Sequence, residues 1–149
     1  MFALSERSKQ RLEGVDKNLV DVVKLAIEYT KIDFGVTQGL RTPEEQKKLV
    51  ESGASQTMNS KHITGKAVDL AAYIDGRLSW EHNLYDDIAD AMKQAAIEKN
   101  VAIRWGAAWN VPDIRMWRGT MEEAMMYYID FCRRENKRPF IDAPHFELS

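Results

Sequence analysis

This sequence predicts an α+β fold built around a small antiparallel sheet, and three observations carry that expectation. Segments with helical spacing and short extended segments follow one another irregularly, without the repeating strand–helix–strand unit that builds a parallel sheet. Asp75-Gly76 separates two extended segments and is a two-residue hairpin signal. The 149 residues contain no repeat, no low-complexity stretch and no linker, so residues 1–149 are expected to form one domain, long enough to bury a real core.

Taken in order, Asp16 is placed to cap a helix reaching about Lys31, with Leu19, Val22, Val23, Ala26 and Ile27 on one face. Phe34–Leu40 reads as a short strand or extended segment. Thr42-Pro43-Glu44-Glu45 is a helix start with a capping threonine, proline at the first helical position and glutamate three residues after the cap; Gly53 ends that helix. Ser55–Asn59 is polar loop. Lys66–Ile74 is a strand, and Arg77–Trp80 returns from the Asp75-Gly76 turn. Asn83–Lys99 carries Leu84, Ile88, Met92 and Ala95 at helical spacing. Val101–Trp105 is a strand and 106–119 a tryptophan-containing loop. Thr120-Met121-Glu122-Glu123 is a second capping box and opens a helix to about Glu135, in which Met121, Met125 and Met126 are expected to be core. Phe140-Ile141 and His145–Leu148 are the last extended segments. Asp86-Asp87 and Glu122-Glu123 read as ordinary solvated helix faces.

Composition narrows the class. Apolar residues make up 44% and charged residues 30%, as in a soluble globular chain. The formal charge of −2, from 21 basic and 23 acidic residues, gives no support for nucleic-acid binding. The single cysteine, Cys132, excludes an intrachain disulfide and reads as a small core residue suited to a reducing compartment. The N-terminal residues lack an apolar run of signal-peptide length, and no segment is expected to insert into a membrane.

Chemistry concentrates in two segments, Ser60-x-His62-x-x-Gly65-x-Ala67-x-Asp69 and Asp142-x-x-His145 near the C-terminus. They hold two of the three histidines, one carboxylate in an apolar strand and a further carboxylate. A charge inside Ala67-Val68-Asp69-Leu70-Ala71-Ala72 needs a partner, because burying it unpaired is costly. A metal ion is such a partner, and Gly65 permits a sharp turn that would aim His62 and Asp69 at one point. Three protein ligands with an open fourth position, plus a base that is not a ligand, is the inventory of a catalytic zinc site. Taken singly, each histidine also fits a surface or satisfied core position.

These motifs resemble those of the zinc peptidases that cleave D-alanyl-D-alanine and L-alanyl-D-glutamate bonds of peptidoglycan. Ser60, His62, Gly65, Ala67 and Asp69 match the first motif; Asp142, His145, Phe146 and Glu147 match the second; Gly39-Leu40-Arg41-Thr42 and Gln46 are similar to an early motif. The resemblance runs from about residue 17 to the end, and within the family it points to the small L-alanyl-D-glutamate endopeptidases that phages use as endolysins.

The resemblance implies a central antiparallel sheet flanked by helices, with the zinc site at one face, as in the hedgehog and D-Ala-D-Ala peptidase folds. It implies one Zn2+ held by His62, Asp69 and His145, whose two neutral imidazoles and one carboxylate leave a net positive charge on the site. Asp142 occupies the position of the general base, where many relatives carry glutamate. The shorter aspartate favours the L-alanyl-D-glutamate group over the alternative, a D-alanyl-D-alanine carboxypeptidase or dipeptidase. Arg41 matches an arginine beside the zinc that would stabilise the oxyanion or hold a substrate carboxylate; on the residues alone it reads as a surface salt bridge at the start of a helix. Ser60 either binds substrate or shapes its loop, and Trp109 either lines the peptide cleft or anchors its loop with Trp105 and Trp117. Gln46 is either behind the ligands or on a solvated helix face. Glu147 is expected behind a histidine ligand, with alternative base as the other reading. His82 matches no motif and reads as surface.

The implied partner is peptidoglycan, met by a monomer made in the host cytoplasm and reaching the wall with the help of a holin. No separate wall-binding domain is expected. A regulatory calcium ion stays open.

Overall fold

The computed structural model describes residues 1–149. Its helices are α1 (Glu6–Arg11), α2 (Lys17–Tyr29), α3 (Pro43–Glu51), α4 (His82–Lys99) and α5 (Met121–Arg134); its strands are β1 (Asp33–Gln38), β2 (Ala67–Ile74), β3 (Arg77–Ser79), β4 (Ile103–Trp105) and β5 (His145–Leu148). The expected α+β architecture is present. Caps sit where the residues placed them. Asp16 accepts from the Asn18 backbone N–H, and Thr42/Glu45 and Thr120/Glu123 form reciprocal capping boxes at α3 and α5. The short α1, capped by Ser5, is too brief for periodicity to mark it.

The sheet runs β1-β2-β5-β4, all antiparallel, with β3 beside β2 on the edge that β5 leaves free. Alternation along the strands gives the sheet two different faces. Val68, Leu70 and Ala72 of β2, Phe146 of β5, and Ile103 and Trp105 of β4 are buried in a 32-residue core with α2 and α4. Trp105 stacks on Phe146 with ring centroids 6.2 Å apart. The interleaved residues, Asp69 paired with His145 and Glu147 paired with Ala67 and Arg104, belong to the opposite face. The site therefore lies on the face turned away from the main helices.

Four expectations change. The β4 ladder begins at Ile103 rather than Val101, because its only strand partner, β5, reaches no further than Leu148 opposite Ile103. Phe140 and Ile141 join no ladder. Met126 is 46% exposed, whereas Met121 and Met125, four residues apart on one face, are buried; the helix turns the position after Met125 outward.

The fourth change is Asp86, which is buried rather than solvated, with Oδ1 lacking a hydrogen-bond partner. Burial first, then the charges of Glu122, Asp90 and Asp87, push its carboxyl up to about 6. A carboxyl raised in the fold binds its proton more tightly there than in the unfolded chain. Its contribution is therefore intact below about pH 4 and is lost as pH rises through about 6. Asp86→Asn is expected to stabilise the protein at pH 7 by on the order of 1–2 kcal/mol, with the gain vanishing near pH 4. Urea melts at the two pH values check this; an equal shift at both would contradict it.

Candidate metal centre

The turn between α3 and β2 delivers His62. Gly65 takes φ +72°, and a Cβ there would lie 2.5 Å from the Gly14 carbonyl oxygen, so glycine is required. The His62 backbone N–H donates to Ser60 Oγ at 3.2 Å, and the imidazole Nδ1 lies 2.9 Å from the Gly39 carbonyl. A carbonyl only accepts, so Nδ1 carries the hydrogen and Nε2 presents a lone pair. Nε2 is buried, makes no hydrogen bond, and faces Asp69 Oδ1 at 3.3 Å.

The same logic places His145. Its Nε2 is 2.8 Å from Glu147 Oε1, and its Nδ1 is 3.3 Å from Asp69 Oδ1. Nε2 donates to the Glu147 carboxylate, which turns the Nδ1 lone pair toward Asp69. Three acceptor atoms, His62 Nε2, His145 Nδ1 and a carboxylate oxygen of Asp69, thus lie within 4.8 Å of one another. Facing lone pairs repel unless a cation or proton sits among them, and two imidazoles with one carboxylate suit a borderline-soft divalent metal. The donor set fits a metal ion.

Electrostatics agree with that reading. Burial opposes ionisation of Asp69, but the adjacent imidazoles of His145 and His62 outweigh it and hold the carboxyl well below the usual range. Burial likewise opposes the charge on His145, yet Asp69 and Glu147 outweigh it and raise the imidazole to about 9. Acceptors that would hold a metal hold a proton otherwise. Glu147 is lowered, because His145 and Lys61 overcome its own burial.

Asp142 lies in the turn before β5, where the His145 N–H donates to the Asp142 carbonyl at 3.0 Å. That turn is fastened to Gly106 in both directions: the Asp142 N–H donates to the Gly106 carbonyl and the Gly106 N–H to the His145 carbonyl, each at 2.8 Å. A Cβ on residue 106 would meet the Asp142 carbonyl oxygen at 2.3 Å, so only glycine allows this approach. Burial first, then the charge of Asp69, raises the Asp142 carboxyl above its ordinary value, against the pull of His145, His62 and Arg41.

Arg41 is buried, not on the surface. Its Nη1 donates to Gln46 Oε1 at 2.6 Å and its Nη2 lies 3.8 Å from Asp69 Oδ2. Gln46 is fully buried, which removes the solvated alternative; its Nε2 donates to Ser55 Oγ at 2.8 Å and to the Thr57 carbonyl. Ser60, Trp109 and Asp142 line the cleft of about 880 Å³ that His62, Asp69 and His145 share. The Trp109 ring centroid is 5.5 Å from that of His145, and its Nε1 donates to the Phe140 carbonyl at 3.0 Å. Trp105 is in the core, and Trp117 packs on Tyr127. His82 is exposed at the start of α4. The structure adds Lys61, Tyr128 and Phe140 to the cleft and the Gly39 carbonyl behind His62. Tyr128, Phe140 and the Gly39 carbonyl come to the site through long-range contacts that no spacing announces, and Lys61, beside His62, is a position the motif leaves unspecified.

Comparison with known proteins follows the same lines. A family model described as phage L-alanyl-D-glutamate peptidase matches residues 1–149. An L-alanyl-D-glutamate peptidase of Escherichia phage T5 is 34% identical over 113 residues, 73% of this chain and 82% of that protein. A protein of the same description from a Listeria phage is 33% identical over 79 residues, 53% of this chain but 27% of its own length. Among solved structures, the Serratia marcescens L-Ala D-Glu endopeptidase ChiX matches with a TM-score of 0.73 and 34% identity, covering 97% of this chain and 87% of that one. The vancomycin-resistance D,D-dipeptidase VanXYg matches with a TM-score of 0.53 and 17% identity, over 90% of this chain and 50% of that one, a likeness of fold.

Proposed function

The chain belongs to the phage L-alanyl-D-glutamate peptidase family, and from that premise we propose that it is a zinc endopeptidase hydrolysing the L-Ala–D-Glu bond of peptidoglycan stem peptides during phage lysis of the host. The observation that carries the metal reading is the convergence of His62 Nε2, His145 Nδ1 and the Asp69 carboxylate in a cleft that also holds Asp142. These three residues would hold the ion. When bound, zinc supplies a Lewis acid that polarises the scissile carbonyl and makes water more acidic.

The protein's own groups do the rest. Asp142, a carboxylate outside the ligand set, takes the proton of the attacking water at its oxygen and hands it to the leaving amine nitrogen of D-Glu. One C–O bond forms and the C–N bond breaks. Arg41, held by Gln46 and oriented toward Asp69, directs its guanidinium to the negative charge that develops on the carbonyl oxygen. Ser60 and Trp109 form the walls against which the stem peptide lies.

Digestion of purified sacculi tests the reading. New L-Ala C-termini and D-Glu N-termini are expected by mass analysis; release of free D-alanine would point instead to the D-alanyl-D-alanine reading. We place synthesis in the host cytoplasm and access to the wall through a holin-type lesion. No helix is long and apolar enough to cross a membrane.

A further inference from the structure

Glu147 is shared between two partners. Its Oε1 is 2.8 Å from His145 Nε2, and its Oε2 is 3.1 Å from Lys61 Nζ. The Lys61 ammonium also donates to the Leu148 carbonyl. Lys61 stands next to His62, so its side chain ties the loop carrying one proposed ligand to the strand carrying another. Backbone bonds reinforce the tie: the Lys66 N–H donates to the Lys61 carbonyl at 2.8 Å, and the Leu148 N–H to the Lys66 carbonyl at 2.9 Å.

We propose that Lys61 is a positioning residue for the metal site, acting through Glu147 to fix the ring orientation and tautomer of His145. This rests on the reading of His62, Asp69 and His145 as ligands. The physical reason is direction. Glu147 has two oxygens, and its carboxylate can rotate about its side chain. With one oxygen pinned by an ammonium, the other is held where it receives the His145 Nε2 hydrogen. Nδ1 is thereby kept as the lone-pair face toward Asp69. Partners behind a metal-bound histidine raise its basicity and set its orientation, and their loss typically costs 10- to 100-fold in metal affinity. Lys61 is one contact further out, so the lower end applies. Lys61 is partly exposed, and methionine in its place keeps an unbranched apolar stem while removing the charge.

Zinc affinity, measured with zinc alone in competition with a chelator, is the test. K61M is expected to bind zinc about 10-fold more weakly than the parent, and K61R to recover most of that loss. In an E147Q background, K61M should add little, because the lysine acts through that carboxylate. Unchanged affinity in K61M, or effects of K61M and E147Q that simply add, would overturn the proposal. A rise in KM with zinc affinity intact would also overturn it and make Lys61 a substrate contact. A parent chain that binds no zinc sinks the metal reading itself; a parent that binds zinc alongside an unaltered K61M sinks only the role given to Lys61.

Discussion

His62→Ala and His145→Ala are each expected to lose bound zinc and to reduce stem-peptide cleavage to background. Each removes one of three acceptor atoms that lie within 4.8 Å of one another, and two remaining protein donors do not make a catalytic zinc site. Stability should fall as well. A ligand present at a thousand times its dissociation constant stabilises the folded chain by about 4 kcal/mol, and that contribution disappears with the site. Metal content after purification and thermal melts with and without chelator check this. Chelator should lower the parent's melting temperature and leave both variants where they are. A histidine variant that holds zinc as tightly as the parent would remove that residue from the ligand set.

Asp142→Ala separates chemistry from metal binding. Loss of a general base typically slows turnover about 10²- to 10⁴-fold. The three acceptors stay in place, so zinc should remain near one equivalent and the fold intact. Asp142→Glu should be milder where the cleft admits one more methylene. Asp69→Ala should behave differently, with metal and activity falling together, because Asp69 lies 3.3 Å from both imidazoles. Measuring zinc content beside the cleavage rate distinguishes the two aspartates. If Asp142→Ala loses its zinc while Asp69→Ala keeps it, the two roles are reversed.

Much of this protein is legible without coordinates, because its signals are local. Thr42 with Glu45, and Thr120 with Glu123, mark helix starts through bonds that span three residues. The Asp75-Gly76 turn marks its hairpin in the same way, and Gly65 marks the bend between His62 and Asp69. Where the expectations missed, the cause was non-local. Asp86 reads as a solvated helix residue until neighbouring elements bury it; Met126 is the local exception, one position past Met125 and turned off the buried face by the helix itself. Gln46 reads equally well as solvated or buried, and only the loop at Ser55 and Thr57, wrapped over α3, decides.

By itself the sequence determined the fold class, the starts of α2, α3 and α5, the family and the set of residues from which a metal site could be built, since residue type and short spacing encode all of these. The tertiary structure alone decided how that set is arranged. It places the Gly39 carbonyl against His62 Nδ1 and Glu147 against His145 Nε2, so that both free lone pairs face Asp69. It turns Arg41 inward onto Gln46 and sets Lys61 against Glu147. Strand pairing brings Asp69 opposite His145 across 76 residues of chain, and sheet alternation keeps both off the core face. The orientation of an imidazole depends on what bonds its far nitrogen: for His62 that is the Gly39 carbonyl, which only folding brings within reach, and for His145 it is Glu147, two residues on along β5, whose other oxygen folding pairs with Lys61.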